Sequence, residues 1–62
     1  MRKELQQLKS FLRDERIICS DIGESVFVDF RDANRRQEAR IAKKCKELKI
    51  QIQIADKGAL FS

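Results

Sequence analysis

The chain reads as an α+β domain in the order helix, short strand, strand, helix, strand, with a two- or three-stranded sheet packed by two helices. Three observations predict this. Apolar residues recur at helical spacing in two stretches and alternate at strand spacing in two others, while no proline and only Gly23 and Gly58 interrupt them. Sixty-two residues suit one domain spanning 1–62. The 39% of charged residues alone would suit a disordered chain, but 42% hydrophobic content laid down periodically predicts folding.

The first helix is expected over residues 2 to about 14. Leu5, Leu8, Phe11 and Leu12 converge on one side at 100° per residue, and Arg2, Lys3, Lys9, Arg13 and Asp14 take the other. Ile17, Ile18 and Cys19 then form either the last helical turn or a short strand. Residues 20–25, Ser-Asp-Ile-Gly-Glu-Ser, carry the strongest turn signal, because serine, aspartate and glycine favour turn conformations. The strand that follows is rich in β-branched and aromatic residues, with Val26, Val28 and Phe30 on one face and Phe27 on the other. Phe27 is expected under a helix on the second face of the sheet, or else in an interface.

The second helix starts at a cap, either Asp32 or Asn34 with Gln37 three residues on, and runs to about Lys49 with Ile41, Cys45 and Leu48 as its apolar stripe. Three isoleucines alternating with two glutamines over residues 50–54 predict a half-buried strand, which Asp56, Lys57 and Gly58 end. About twenty residues separate the last two strands, enough for a parallel right-handed β-α-β unit. In the alternative, the isoleucine strand pairs with a neighbouring molecule, since little but its glutamines blunts its edge. Leu60 and Phe61 are expected to fold back on the core. No internal repeat is visible.

Chemistry is limited by what the chain lacks. Without histidine there is no Ser-His or Cys-His couple, and no glycine-rich phosphate loop is present. Cys19 and Cys45 cannot supply the four ligands of a zinc site. No catalytic residue, metal site or cofactor is expected, and a carboxylate pair at Asp29 and Asp32 reads more economically as an edge or cap. Cys45 in the apolar stripe reads as a core residue, and a Cys19–Cys45 disulfide as a minor alternative. The charged N-terminus resembles no secretory leader and no stretch is long enough to span a membrane, so a soluble, cytoplasmic protein is expected.

Charge is where the chain departs from the ordinary. Residues 31–49 hold eight basic against three acidic residues, a surplus of five, while the rest of the chain carries −1. On a helical wheel Ile41, Cys45 and Leu48 fill an arc of roughly 60°, and Arg35, Arg36, Arg40, Lys43, Lys44 and Lys46 spread over the opposite half. Such a face is often only solvated. Read functionally, it neutralises phosphates, and Arg35, Arg36, Arg40, Lys43 and Lys44 are the expected nucleic-acid-binding residues of a non-enzymatic regulatory or accessory protein. DNA or RNA is the expected partner of a homodimer. The alternative is a protein-interaction module using the isoleucine strand edge or the apolar C-terminal tail to inhibit or adapt a larger host protein.

Overall fold

A computed structural model describes residues 2–62. It contains helix α1 (Lys3–Asp14), strands β1 (Ser20–Ile22) and β2 (Ser25–Asp29), a 3₁₀ turn at Phe30–Asp32, helix α2 (Arg35–Leu48), and strands β3 (Ile52–Ile54) and β4 (Gly58–Phe61). The strands form one sheet in the order β1-β2-β4-β3, with every neighbouring pair antiparallel. The class is α+β as expected, but the sheet has four strands rather than two or three, and β2 and β3, which run parallel and are joined through α2, are not neighbours. The reason lies at the C-terminus. Residues 59–62, expected as a tail folded back on the core, supply most of β4, which inserts between β2 and β3, so the parallel β-α-β unit is present in split form and β3 pairs with β4 through a hairpin.

Leu5, Leu8 and Leu12 of α1 and Ile41 and Cys45 of α2 pack with Val26, Val28, Ala59 and Phe61 in one core. The register sets Val26 opposite Phe61 and Val28 opposite Ala59, so all four side chains share a face. Among the described residues no helix covers the other face. Phe27 is half-buried there, against Gly58 and not under a helix. Of the four phenylalanines only Phe61 is fully buried, and Phe30, expected to extend the β2 face, turns away in the 3₁₀ turn.

Both helices end alike. Arg16 and Lys49 take left-handed φ of 61° and 58°, and the next residue, Ile17 or Ile50, donates its N–H to the carbonyl of Leu12 or Cys45, 2.8 Å away in each case. This is the Schellman closure, usually made with glycine, and it drives an isoleucine into the core just past the helix. Ile17 and Ile50 are therefore neither strand nor helix residues. Their burial is the helix-ending contact, and β1 starts only at Ser20, inside the stretch expected to be turn. The turn itself shrinks to Gly23 and Glu24, because Ile22 already pairs with Ser25. A positive φ of 58° at Gly23 and none at Glu24 fits a type II′ hairpin.

A repeat that the sequence hides emerges here. Helix, left-handed basic residue, isoleucine and hairpin occur twice, 33 residues apart, from Arg16 and Ile17 to Lys49 and Ile50. The strand order and the β2–β4 register are unchanged when the halves are exchanged, so the fold has an approximate two-fold axis between β2 and β4. Only the pattern repeats, since Leu8 matches Ile41 but Phe11 matches Lys44.

Candidate nucleic-acid interface

The cationic helix owes its start to Asn34. Its Oδ1 accepts from the Gln37 N–H at 2.8 Å, and Gln37 Oε1 accepts from the Asn34 N–H at 3.0 Å, a reciprocal capping box. Asp32, the other expected cap, is held in the 3₁₀ turn one extended residue too early. It makes no ion pair with Arg36 among the described residues. Gln37 Nε2 also donates to the Glu15 carbonyl at 3.1 Å and so ties the head of α2 to the foot of α1.

From this start the expected binding residues separate into groups. Arg40, Lys43 and Lys44 line a shallow groove of about 270 Å³ shared with Phe11 of α1 and Glu47. Arg36 stands one turn above Arg40 on the same side, so Arg36, Arg40 and Lys43 follow i, i+4, i+7 spacing over roughly 10 Å of helix. Arg35 is not part of this stripe. At 100° per residue it points roughly 140° away from Arg40, on the flank with Lys46.

Two of the five have partners. Arg40 Nη1 lies 3.1 Å from Glu15 Oε1, with Arg40 half exposed and Glu15 mostly covered. Lys44 Nζ lies 5.9 Å from the centre of the Phe11 ring, at the outer range of a cation–π contact, and is half-buried. Arg35, Arg36 and Lys43 are exposed and have no ion pair among the described residues. Reasoning from sequence missed Phe11 and Glu15. Phe11 sits at the margin of the apolar set of α1, a hint that it reaches the helix–helix seam. Nothing in the sequence singles out Glu15.

Elsewhere the polar side chains serve the fold. Asp29 Oδ1 accepts from the Arg31 N–H at 2.8 Å and caps the 3₁₀ turn, and that bond, with the Arg31 guanidinium beside it, lowers the Asp29 pKa below its ordinary value. Burial pushes the Cys45 thiol up to about 11, and Cys19 and Cys45 are both free. Among the described residues no three cysteine, aspartate or glutamate side chains gather as a metal site, and no helix is long and apolar enough to cross a membrane. No family model matches this chain, and neither a curated protein nor a solved structure matches it.

Proposed function

We propose that this chain is a small non-enzymatic regulatory or accessory module that holds DNA or RNA by its phosphates through the outer face of α2, with a homodimer as the working unit. The observation that carries the reading is the trio Arg35, Arg36 and Lys43, exposed on a helix whose ends are both firmly closed and without an ion pair to neutralise them. Acids do stand at helical spacing from these cations, Asp32 from Arg36, Glu38 from Arg35 and Glu47 from Lys43, but none of these pairs closes as an ion pair among the described residues. Here the one ion pair made by an α2 cation among the described residues is Arg40 to Glu15, which fixes the guanidinium at the rim of the groove. Arg36, Arg40 and Lys43 span a length suited to two or three successive phosphates. A phosphate-held helix reads little sequence, so affinity falls with salt and discrimination between sequences is weak.

Titration of a labelled random-sequence duplex and single strand over a salt series tests this. Three or four phosphate contacts predict a log–log slope of roughly −3 to −4 on duplex. Replacing Arg35, Arg36 and Lys43 by glutamine touches no internal contact, and should weaken binding more than tenfold and flatten the slope by roughly 2 to 3. Absence of binding at low salt, or a triple variant that binds like the parent, overturns the reading.

Of the two protein-docking surfaces in the alternative, the C-terminal tail forms strand β4, with Ala59 and Phe61 in the core and Leu60 half-buried on the opposite face beside Phe27. The β3 edge remains.

A further inference from the structure

We propose that the free edge of β3 is the self-association site of this protein, where a second copy adds its own β3 antiparallel about Gln53. This deepens the homodimer reading by naming its surface and register, and it rests on observations independent of nucleic-acid binding.

The two outer edges of the sheet are equivalent under the approximate two-fold axis, yet they are finished differently. On β1, Asp21 pairs with Val26 and so points to the helix side, where Lys9 Nζ of α1 meets its carboxylate at 2.9 Å. That ion pair closes the gap between helix and edge strand, and an inward-pointing charge is a known guard against edge pairing. Thirty-three residues on, the same positions hold Ala42 and Ile54. No charge bridges them. The gap stays open as a groove of about 220 Å³ lined by Ala42, Ile52, Ile54, Phe30 and Ile41, with Glu38 at its rim. Ile52 and Phe30 are 40% exposed and Ile54 68%.

The backbone of this edge is self-complementary. Gln51 N–H donates to Ser62 O and Ser62 N–H to Gln51 O, while Ala55 N–H donates to Gly58 O. Residues 51 and 55 therefore direct their polar groups toward β4, and by the alternation of an antiparallel ladder Ile52 and Ile54 direct theirs outward. When two copies meet about Gln53, Ile52 of one stands opposite Ile54 of the other. That pairing satisfies all four outward groups on each copy. It also brings four isoleucine side chains together on the helix side and merges the two grooves into one apolar strip, in a closed two-fold arrangement that leaves the guarded β1 edges outermost. A shift of one residue would break the isoleucine match, since neighbouring side chains alternate faces.

The contact is small. A three-residue strand and its flank fall at the low end of specific interfaces, under about 1,200 Å² in total, so a micromolar dissociation constant is expected. A net charge of +4 per copy opposes association, so the dimer should tighten as salt rises, the reverse of phosphate binding.

Sedimentation velocity on the full chain from about 1 to 500 µM should show a monomer–dimer equilibrium. Ile54→Lys should hold the protein monomeric with an unchanged circular dichroism spectrum, because Ile54 is mostly solvent-facing. A synthetic chain N-methylated at Ile54 should do the same without any change of side chain, since that N–H faces away from β4. For the register, Gln53→Cys in a Cys19→Ser background should oxidise quickly to a covalent dimer, its two thiols facing each other across the axis, whereas Gln51→Cys should not. A chain that stays monomeric throughout overturns the proposal, even if it captures a foreign extended peptide on β3. A dimer that survives both changes at Ile54, or that cross-links equally well through Gln51→Cys, places association on another surface and overturns the register while leaving dimerisation standing.

Discussion

Gly58 begins the central strand β4 opposite Asp29, and its φ is not in the left-handed region, so a side chain is excluded there by space alone. A Cβ on residue 58 would lie 2.2 Å from the Val28 carbonyl oxygen, 2.6 Å from Cζ of Phe27 and 3.0 Å from the Asp29 Cα. Two of these three are backbone atoms of β2. The phenylalanine ring can swing aside, but the carbonyl can move only if β2 and β4 separate, which strains the innermost pairing of the sheet. Overpacking of a well-filled site costs typically 1–3 kcal/mol, and a clash with paired backbone belongs at the upper end, so Gly58→Ala should cost about 3 kcal/mol. A domain of this length has roughly 3–9 kcal/mol of stability in total, so the variant should be marginal or unfolded. Urea unfolding followed by far-ultraviolet circular dichroism measures this. With m of about 1 kcal/mol/M, the midpoint should fall by about 3 M. The double variant Phe27→Ala, Gly58→Ala should recover little, because the carbonyl contact remains. A Gly58→Ala midpoint within about 0.5 M of the parent would refute the argument, as would full rescue by removing Phe27.

Gly23→Ala should cost about 1 kcal/mol for a different reason, since nothing lies within 4 Å of the added carbon but its φ is 58°. Lys49→Gly should stabilise by about 0.5–1 kcal/mol, visible as a higher urea midpoint, because glycine relieves the left-handed strain at the end of α2. Asp29 has a lowered folded pKa, so its contribution is present above the unfolded value of 3.8 and is lost as pH falls through the folded one; Asp29→Asn should flatten the acid limb of stability against pH. Cys45 is the opposite case. Burial raises its folded pKa to about 11 from the ordinary 9.0 of the unfolded chain, so its contribution is full below pH 9 and is lost as pH rises toward 11, and in native protein at pH 8 its alkylation should proceed only as fast as the protein opens.

The helices were legible because their signals are local. Leucines at 5, 8 and 12 and the Ile41–Cys45 pair declare buried stripes whatever lies around them, and all five are core residues. The cationic face was legible for the same reason, since the wheel positions of Arg36, Arg40 and Lys43 follow from helical spacing. The sheet was harder because its pairing is non-local. Ile17 and Ile50 look like strand residues and are helix-ending contacts, a confusion that arises because both helices use arginine or lysine where glycine would have marked the stop. With the stops hidden, the sequence predicts too wide a turn at Gly23 and a tail at 59–62, because Ala59, Leu60 and Phe61 are apolar throughout and carry no alternating pattern to mark a strand. The partners of the cationic face, Phe11 and Glu15, lie on another helix, and no spacing within α2 could reveal them.

The two halves related by the hidden two-fold differ in charge and in how their edge strands meet the helices. Residues 1–33 carry six basic and seven acidic side chains, and their edge strand is closed by Lys9 and Asp21. The second half, residues 34–62, carries eight basic and three acidic side chains, and its corresponding gap is apolar and open. Ile18 and Ile22 are exposed at the β1 edge too, so what distinguishes the second half is its surplus of cations and the open apolar gap on the helix side of β3. If the second copy docks on β3, the axis passes beside the two cationic helices and sets them on one side of an eight-stranded sheet, so one nucleic-acid strand or duplex can meet both. The reciprocal consequence is measurable: adding random-sequence duplex should shift the monomer–dimer equilibrium toward dimer in the parent chain. It should leave Ile54→Lys monomeric, with weaker binding and a shallower salt slope.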